Sequence, residues 1–391
     1  MSKRFFPVLA FAGFGLSTVA LADTALTPDT RVGAVAFFDF SNISNQQNSN
    51  LPGAADVAPS GTGFDIKRLY LTVDHTFNEV FSADLTTDAQ FSSSTTAGSG
   101  GVTEVFIKRL FLQAKIDDAL VVRAGAYNTP WAQYVEGLYG YRWVEKTMLD
   151  RLGFLNTADW GLNAGGALVK GLTYSASVVN GAGFKNPSRS KTPDVEARVA
   201  YSPLQGLSIG LGGYVGHLGQ VTVANEKFAK NTASRWDAAI GYTIAGLHVG
   251  GEYFDAKNYK TVNSLAAGVY GTSAVVAATA TGAVPKDEAN GGSIWASYDF
   301  GGKYSVFARG DVVKLSKDVL PGLKDKYVNV GVDYKPIKNV DVALVYKNEK
   351  VQHGSASLSG ADAGGSVVIG GSNAANDGKY SEIGIFLNYT W

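Results

Sequence analysis

One stretch of this chain has the residue types to act on a solute. Asn128–Asp159 sets Trp131, Tyr134, Tyr139, Tyr141, Trp143 and Phe154 among Glu136, Arg142, Glu145, Lys146, Asp150, Arg151 and Asp159. Charges of both signs at a narrowing filter what passes without making or breaking a bond, and the rings can stack on sugar faces. The other long connections are mostly small and polar. Left in solvent, so aromatic a stretch would form a costly apolar patch. We therefore expect it to fold inward against an enclosing wall, with its charges at a constriction. The competing reading is that its aromatics mediate subunit contact or interfacial anchoring.

The wall is legible as period-two alternation. Strands are expected near Val32–Ser41, Phe64–His75, Val80–Phe91, Thr103–Ile116, Leu120–Tyr127, Trp160–Val169, Leu172–Val179 and Asp194–Ser202. They continue near Leu207–Val215, Arg235–Ile244, Leu247–Asp255, Ser293–Phe300, Tyr304–Val313, Tyr327–Tyr334, Val340–Asn348 and Tyr380–Trp391. Turns such as Lys170-Gly171 and Ala245-Gly246 alternate with loops of roughly ten to thirty-five residues, the rhythm of a closed barrel with turns on one side and loops on the other. The expected fold is all-β: a sixteen-stranded antiparallel transmembrane β-barrel with a constriction loop folded into its lumen.

Parity assigns faces. Phe81, Ala83, Leu85 and Ala89 point outward, and Asp84, Thr86 and Asp88 point inward. Arg68, Arg109 and Arg123 fall inward on neighbouring strands as a short basic strip, which would attract anions through its field. Lys67 falls on the opposite face, near the outer rim. Inward acids (Asp39, Asp194, Glu196, Asp237, Glu252, Asp311, Asp333, Asp341 and Glu382 among them) outnumber inward bases such as Arg198, Arg235, Arg309 and Lys347.

The ends and the composition agree with export. Lys3 and Arg4 precede an apolar stretch from Phe5 to about Leu21, and Ala20-Leu21-Ala22 supplies a small-x-small cleavage site. Residues 1–22 are thus expected as a cleaved signal peptide and 23–391 as one barrel domain. No later run is apolar and long enough for a spanning helix. A mean hydropathy of +0.00 fits a wall with one face in lipid and one in water. Lack of Cys argues against a disulfide scaffold. The near-neutral charge gives no reason to expect nucleic acid. No cofactor or metal is expected: the Asp/Asn/Gly-rich Gly360–Gly378 stretch lacks EF-hand spacing and reads as a flexible surface loop. The four His lie apart in the strand map, so no base stands beside a nucleophile and an enzyme is disfavoured, as is an adhesin. The last strand ends on Trp391 with Ile383, Ile385, Leu387 and Tyr389 on the same face, and resembles the assembly signal of bacterial outer-membrane barrels.

Several segments resemble the phosphate-selective porin O and P family. They are Phe64-Asp-Ile-Lys-Arg-Leu-Tyr-Leu-Thr-Val, Ala124-Gly-Ala-Tyr-Asn-Thr-Pro-Trp, Val144-Glu-Lys-Thr-Met-Leu-Asp-Arg, Ala158-Asp-Trp-Gly-Leu and Val178-Val-Asn-Gly. The likeness is clearest over about Phe64–Gly206. It implies a trimeric porin of the bacterial outer membrane passing small hydrophilic, often anionic solutes. By position, Lys67 and Arg68 match the family's basic pair and Arg151 its loop cation, which implies that they guide the anion. The inward acids argue against strict phosphate selectivity, and a channel for sugars or organic acids stays open as the alternative.

Overall fold

Alternation of residue type becomes alternation of environment along nearly every strand. The computed structural model describes residues 24–27, 29–92, 102–221, 231–259, 286–359, 366–371 and 374–391. The expected signal peptide and the low-complexity run at 269–284 lie outside them.

The first half of the ring runs β2 (Thr30–Gln46), β3 (Gly61–Thr76), β4 (Phe81–Ser92), β5 (Val102–Lys115), β6 (Val121–Asn128), β7 (Ala158–Val169), β8 (Leu172–Val179) and β9 (Asp194–Tyr201). The second half runs β10 (Leu207–Gly216), β11 (Ala233–Ile244), β12 (Leu247–Lys257), β13 (Glu288–Asp299), β14 (Tyr304–Lys314), β15 (Lys324–Tyr334), β16 (Val340–Gln352) and β19 (Gly378–Thr390). Each pairs antiparallel with its predecessor, and β19 closes on β2 from Lys379↔Gln46 to Thr390↔Val35. The result is a closed sixteen-stranded antiparallel barrel. A short β1 (Thr24–Thr27) pairs antiparallel with the start of β2. Helices α1 (Ala132–Tyr139) and α2 (Met148–Leu152) lie between β6 and β7, and a hairpin of β17 (Ser355–Ser359) and β18 (Ser366–Gly370) lies between β16 and β19.

On β15, Asp325, Tyr327, Asn329 and Asp333 are buried, whereas Val328, Val330 and Val332 are exposed. Leu344, Ile383, Ile385 and Ile294 continue the exposed apolar belt. A closed ring leaves no unpaired strand edge, and an apolar belt around it is what a lipid core demands.

Bulges in β3 and β5 break the parity. Register passes from Phe37↔Arg68 to Phe38↔Ile66, which leaves Lys67 as the extra residue. Lys67 therefore points inward with Arg68, and the expectation that it faces the outer rim is wrong. Its Nζ lies 3.1 Å from Asp39 Oδ2 and 3.0 Å from Asp65 Oδ2. A regular strand would have aimed this cation at lipid, where it is costly; a bulge admits one more residue and re-aims it. The same event recurs between β4 and β5, where register passes from Thr86↔Arg109 to Thr87↔Ile107 and Lys108 is the extra residue. Both bulges fall on the tetrapeptide Ile-Lys-Arg-Leu, at Ile66–Leu69 and Ile107–Leu110.

The stretch after β16 is a second correction. Instead of a flexible surface loop, its β17–β18 hairpin buries Ala356, Leu358, Val367 and Ile369 in one cluster with Met148, Leu149 and Leu152 of α2. Alternation at Ser-Ala-Ser-Leu-Ser supplies the apolar face. Backbone and side-chain bonds to the loop after β2 hold it: Ser49 N donates to Asp377 O (2.8 Å) and Asp377 N to Asn50 Oδ1 (2.9 Å).

Ile294, 73% exposed and central in β13, tests the belt. Ile294→Arg is expected to destabilise the folded barrel by about 2–4 kcal/mol in lipid vesicles, read by urea titration. An unchanged midpoint would mean that this face does not meet lipid.

Candidate functional site

The 128–159 segment is seated by the wall at both of its helices. The inner face of β10 and β11 carries Gly210, Gly212 and Gly241 where side chains would otherwise fill space. A Cβ at these positions would collide with Tyr134, Trp131 and Leu138 respectively. The missing side chains thus form sockets for α1. Trp131 Nε1 donates to Glu252 Oε1 (2.7 Å), and Tyr134 OH lies 3.1 Å from Ser208 Oγ. Gly140, at φ 80°, ends the helix in the left-handed conformation that glycine adopts without strain.

The second helix is held by charge. Arg151 is 1% exposed and contacts three carboxylates from three strands: Asp311 (3.2 Å), Asp325 (2.6 Å) and Glu349. Arg309 donates to the Lys146 carbonyl, and Lys347 lies 3.2 Å from Glu145. Burial alone would raise the Glu145 carboxyl. Lys347, Arg151 and Arg309 outweigh it and hold the group down at about 2. Tyr139 OH accepts from Asn329 (3.1 Å), and Tyr141 stacks on Phe307 with centroids 4.1 Å apart.

The candidate residues therefore divide. Arg151, Glu145, Tyr134 and Tyr139 are buried anchors of the segment. Asp159 is buried as well and accepts from the backbone N–H groups of Trp160 (2.7 Å), Gly181 (3.0 Å) and Gly183 (3.1 Å). It ties the start of β7 to the loop that follows β8.

Four others come together with Arg68. Arg142 Nε donates to Glu136 Oε1 (2.8 Å) and its NH2 to Asp150 Oδ2 (3.3 Å). Lys146 Nζ lies 3.5 Å from Asp150 Oδ1. From the wall, Arg68 lies 3.6 Å from Asp88. Lys108 joins this group, donating to Thr157 and lying 4.1 Å over the Phe184 ring. Parity alone hides Lys108; the repeated Ile-Lys-Arg-Leu was the signal available for it.

Arg109 and Arg123 stand apart from Arg68. Arg109 faces Thr86, which faces Thr72, four residues along β3 from Arg68. Arg123 faces Gln113, four residues along β5 from Arg109. Each step is roughly 13 Å of strand. Each is also bonded locally, Arg109 to Asp84 (3.1 Å) and Arg123 to Gln113 (2.8 Å) and Asn163 (3.1 Å). The three arginines are stepped along the wall, and no common strip brings them side by side.

No protein-family model matches the sequence, and no curated protein matches it. Solved structures do match. The chain is similar to the anion-selective porin from Comamonas acidovorans, with a TM-score of 0.60 at 13% identity over 93% of this chain and 99% of that one. It is similar to the outer membrane channel DcaP of Acinetobacter baumannii, with a TM-score of 0.59 at 10% identity over 95% and 100%. It is also similar to Salmonella typhi OmpF, with a TM-score of 0.60 at 12% identity over 94% and 100%. At these identities the likeness is one of fold.

Within the charged group, Lys146 is the cation of the 128–159 segment that burial brings down toward neutrality. Burial pushes its ammonium down to about 7; Asp150 opposes the shift, and Arg68, Arg142 and Lys108 add to it. A depressed base is charged below its pKa. As pH falls through about 7, the group gains one positive charge facing Asp150, Arg142, Arg68 and Lys108. Current through the barrel in a salt gradient is expected to move toward anions over that step, and Lys146→Met to remove the step.

Arg151→Met is expected to cost about 3–5 kcal/mol, because buried Asp325 and Glu349 lose their cation while Asp311 keeps Arg309 at 2.6 Å. Limited proteolysis of the folded barrel should then cut within 128–159. Wild-type resistance in the variant would mean that the ion cluster does not seat the segment.

Proposed function

We propose that the chain is a porin: a passive diffusion channel of the bacterial outer membrane for small hydrophilic solutes, with anions such as phosphate among them. The observation that carries this is the charged group left between the seated segment and the β3–β5 wall. Arg68, Lys108, Arg142 and Lys146 face Asp88, Glu136 and Asp150 there. The apolar outer belt supports placement in lipid. A ring of fixed charge in a water path filters by field, and a surplus of one base favours anions weakly. Strict phosphate selectivity is not part of this reading, since carboxylates alternate with the bases. Export by a cleaved signal peptide, assembly as a homotrimer and kinship with the phosphate-selective porin O and P family belong to the proposal too.

The mechanism is positioning and electrostatics. A solute enters from the loop side, passes the 128–159 segment along the β3–β5 wall and leaves on the turn side. No bond is made or broken.

Planar-bilayer recording tests this. An ohmic pore with a reversal potential modestly favouring chloride over potassium is expected. Replacing Arg68, Lys108 and Lys146 together by Gln should reverse the preference. A barrel that does not conduct would sink the channel reading, and a conducting barrel with an unmoved reversal potential would sink the charge-ring assignment.

A further inference from the structure

A cavity of about 790 Å³ lies on the short-turn side of the 128–159 segment. Phe37, Tyr70, Tyr139, Tyr141 and Trp143 bring rings to its border. Its charged border is Glu136, Arg142, His248, Asp333, Lys335 and Asp341.

The cations present are engaged. Arg142 Nε lies 2.8 Å from Glu136, and Lys335 Nζ lies 3.5 Å from Asp341. His248 contacts Thr243 Oγ1 and the Leu138 carbonyl. Asp333 is different. It is 1% exposed, and among the described residues no cation lies within ion-pair distance of it. Its Oδ2 accepts from Ser305 Oγ (3.3 Å), which in turn contacts Tyr141 OH (3.1 Å). Its Oδ1 has no protein donor. Asn388 repeats the pattern: its amide donates to Asp341 (2.7 Å), and its Oδ1 has no protein donor.

A buried acceptor without a donor is unfavourable and is met by a ligand that brings the donor. Two of them border one ring-lined cavity where three carboxylates, Glu136, Asp333 and Asp341, stand among one guanidinium, one ammonium and the His248 ring. Ring faces attract cations. We propose that this cavity is a binding site for an organic cation, an ammonium or guanidinium on a ring-bearing body. Asp333 Oδ1 accepts the cationic N–H, Tyr141 and Trp143 flank the body, and Asn388 Oδ1 offers a second acceptor. Charge of the opposite sign to the group around Arg68 and Lys108 thus waits on the turn side of the segment.

Calorimetric titration of the full-length barrel in detergent micelles tests this with benzylamine as the probe, and with benzyl alcohol and benzoate as neutral and anionic controls. It reads binding whether or not the barrel conducts. Benzylamine is expected to bind more tightly than either control, and Asp333→Asn to weaken it by roughly tenfold through loss of a charge-assisted hydrogen bond. Equal binding of benzylamine and benzyl alcohol by the unaltered protein would overturn the proposal, even if the variant failed to fold. So would unchanged benzylamine affinity in a folded Asp333→Asn barrel.

Discussion

Every peptide group in the wall must find its partner in a neighbouring strand, because lipid offers none. Ring closure between β19 and β2 meets that demand, and everything else follows from it. A closed ring fixes which residues face inward. It forces turns to one end and loops to the other. It also creates an interior too wide for wall side chains alone to fill. The 128–159 segment answers that last problem. It is a packed element with its own apolar faces, received by glycines on β10 and β11 and capped by the β17–β18 hairpin.

Electrostatics then divides the interior into two kinds of charge. Arg151, Lys347 and Lys67 each lie against two or three carboxylates. Taking such charges out of water is expensive, and only near-complete pairing makes it tolerable. Arg68, Lys108, Arg142 and Lys146 sit instead where the segment faces the β3–β5 wall. The same residue types thus fasten the segment in one place and face the wall across it in another.

Much of the wall was legible in the sequence, and the misses have physical causes. Strand number, turn positions and the inward placing of Asp84, Asp88, Asp194, Glu196, Asp237, Glu252, Asp311 and Glu382 follow from a period of two. Lys67 was misplaced and Lys108 overlooked because a bulge changes parity without changing composition. Arg151 was visible as a charge but its partners were not. Asp325 and Glu349 lie at strand ends that alternation cut short, so neither entered the inventory of inward acids. The hairpin after β16 was overlooked because small residues surround its few apolar ones, and only the presence of α2 makes that face worth burying.

The Arg151 cluster also bears on the order of assembly. Arg151 follows the fifth strand of the ring, yet its carboxylates stand 160 to 198 positions further along the chain. The helix that carries it cannot be fastened until the last third of the wall exists. Until then, contacts of such long range must wait for chain closure. The fastening of that helix thus requires a completed wall: it is possible only once β14, β15 and β16 stand beside it.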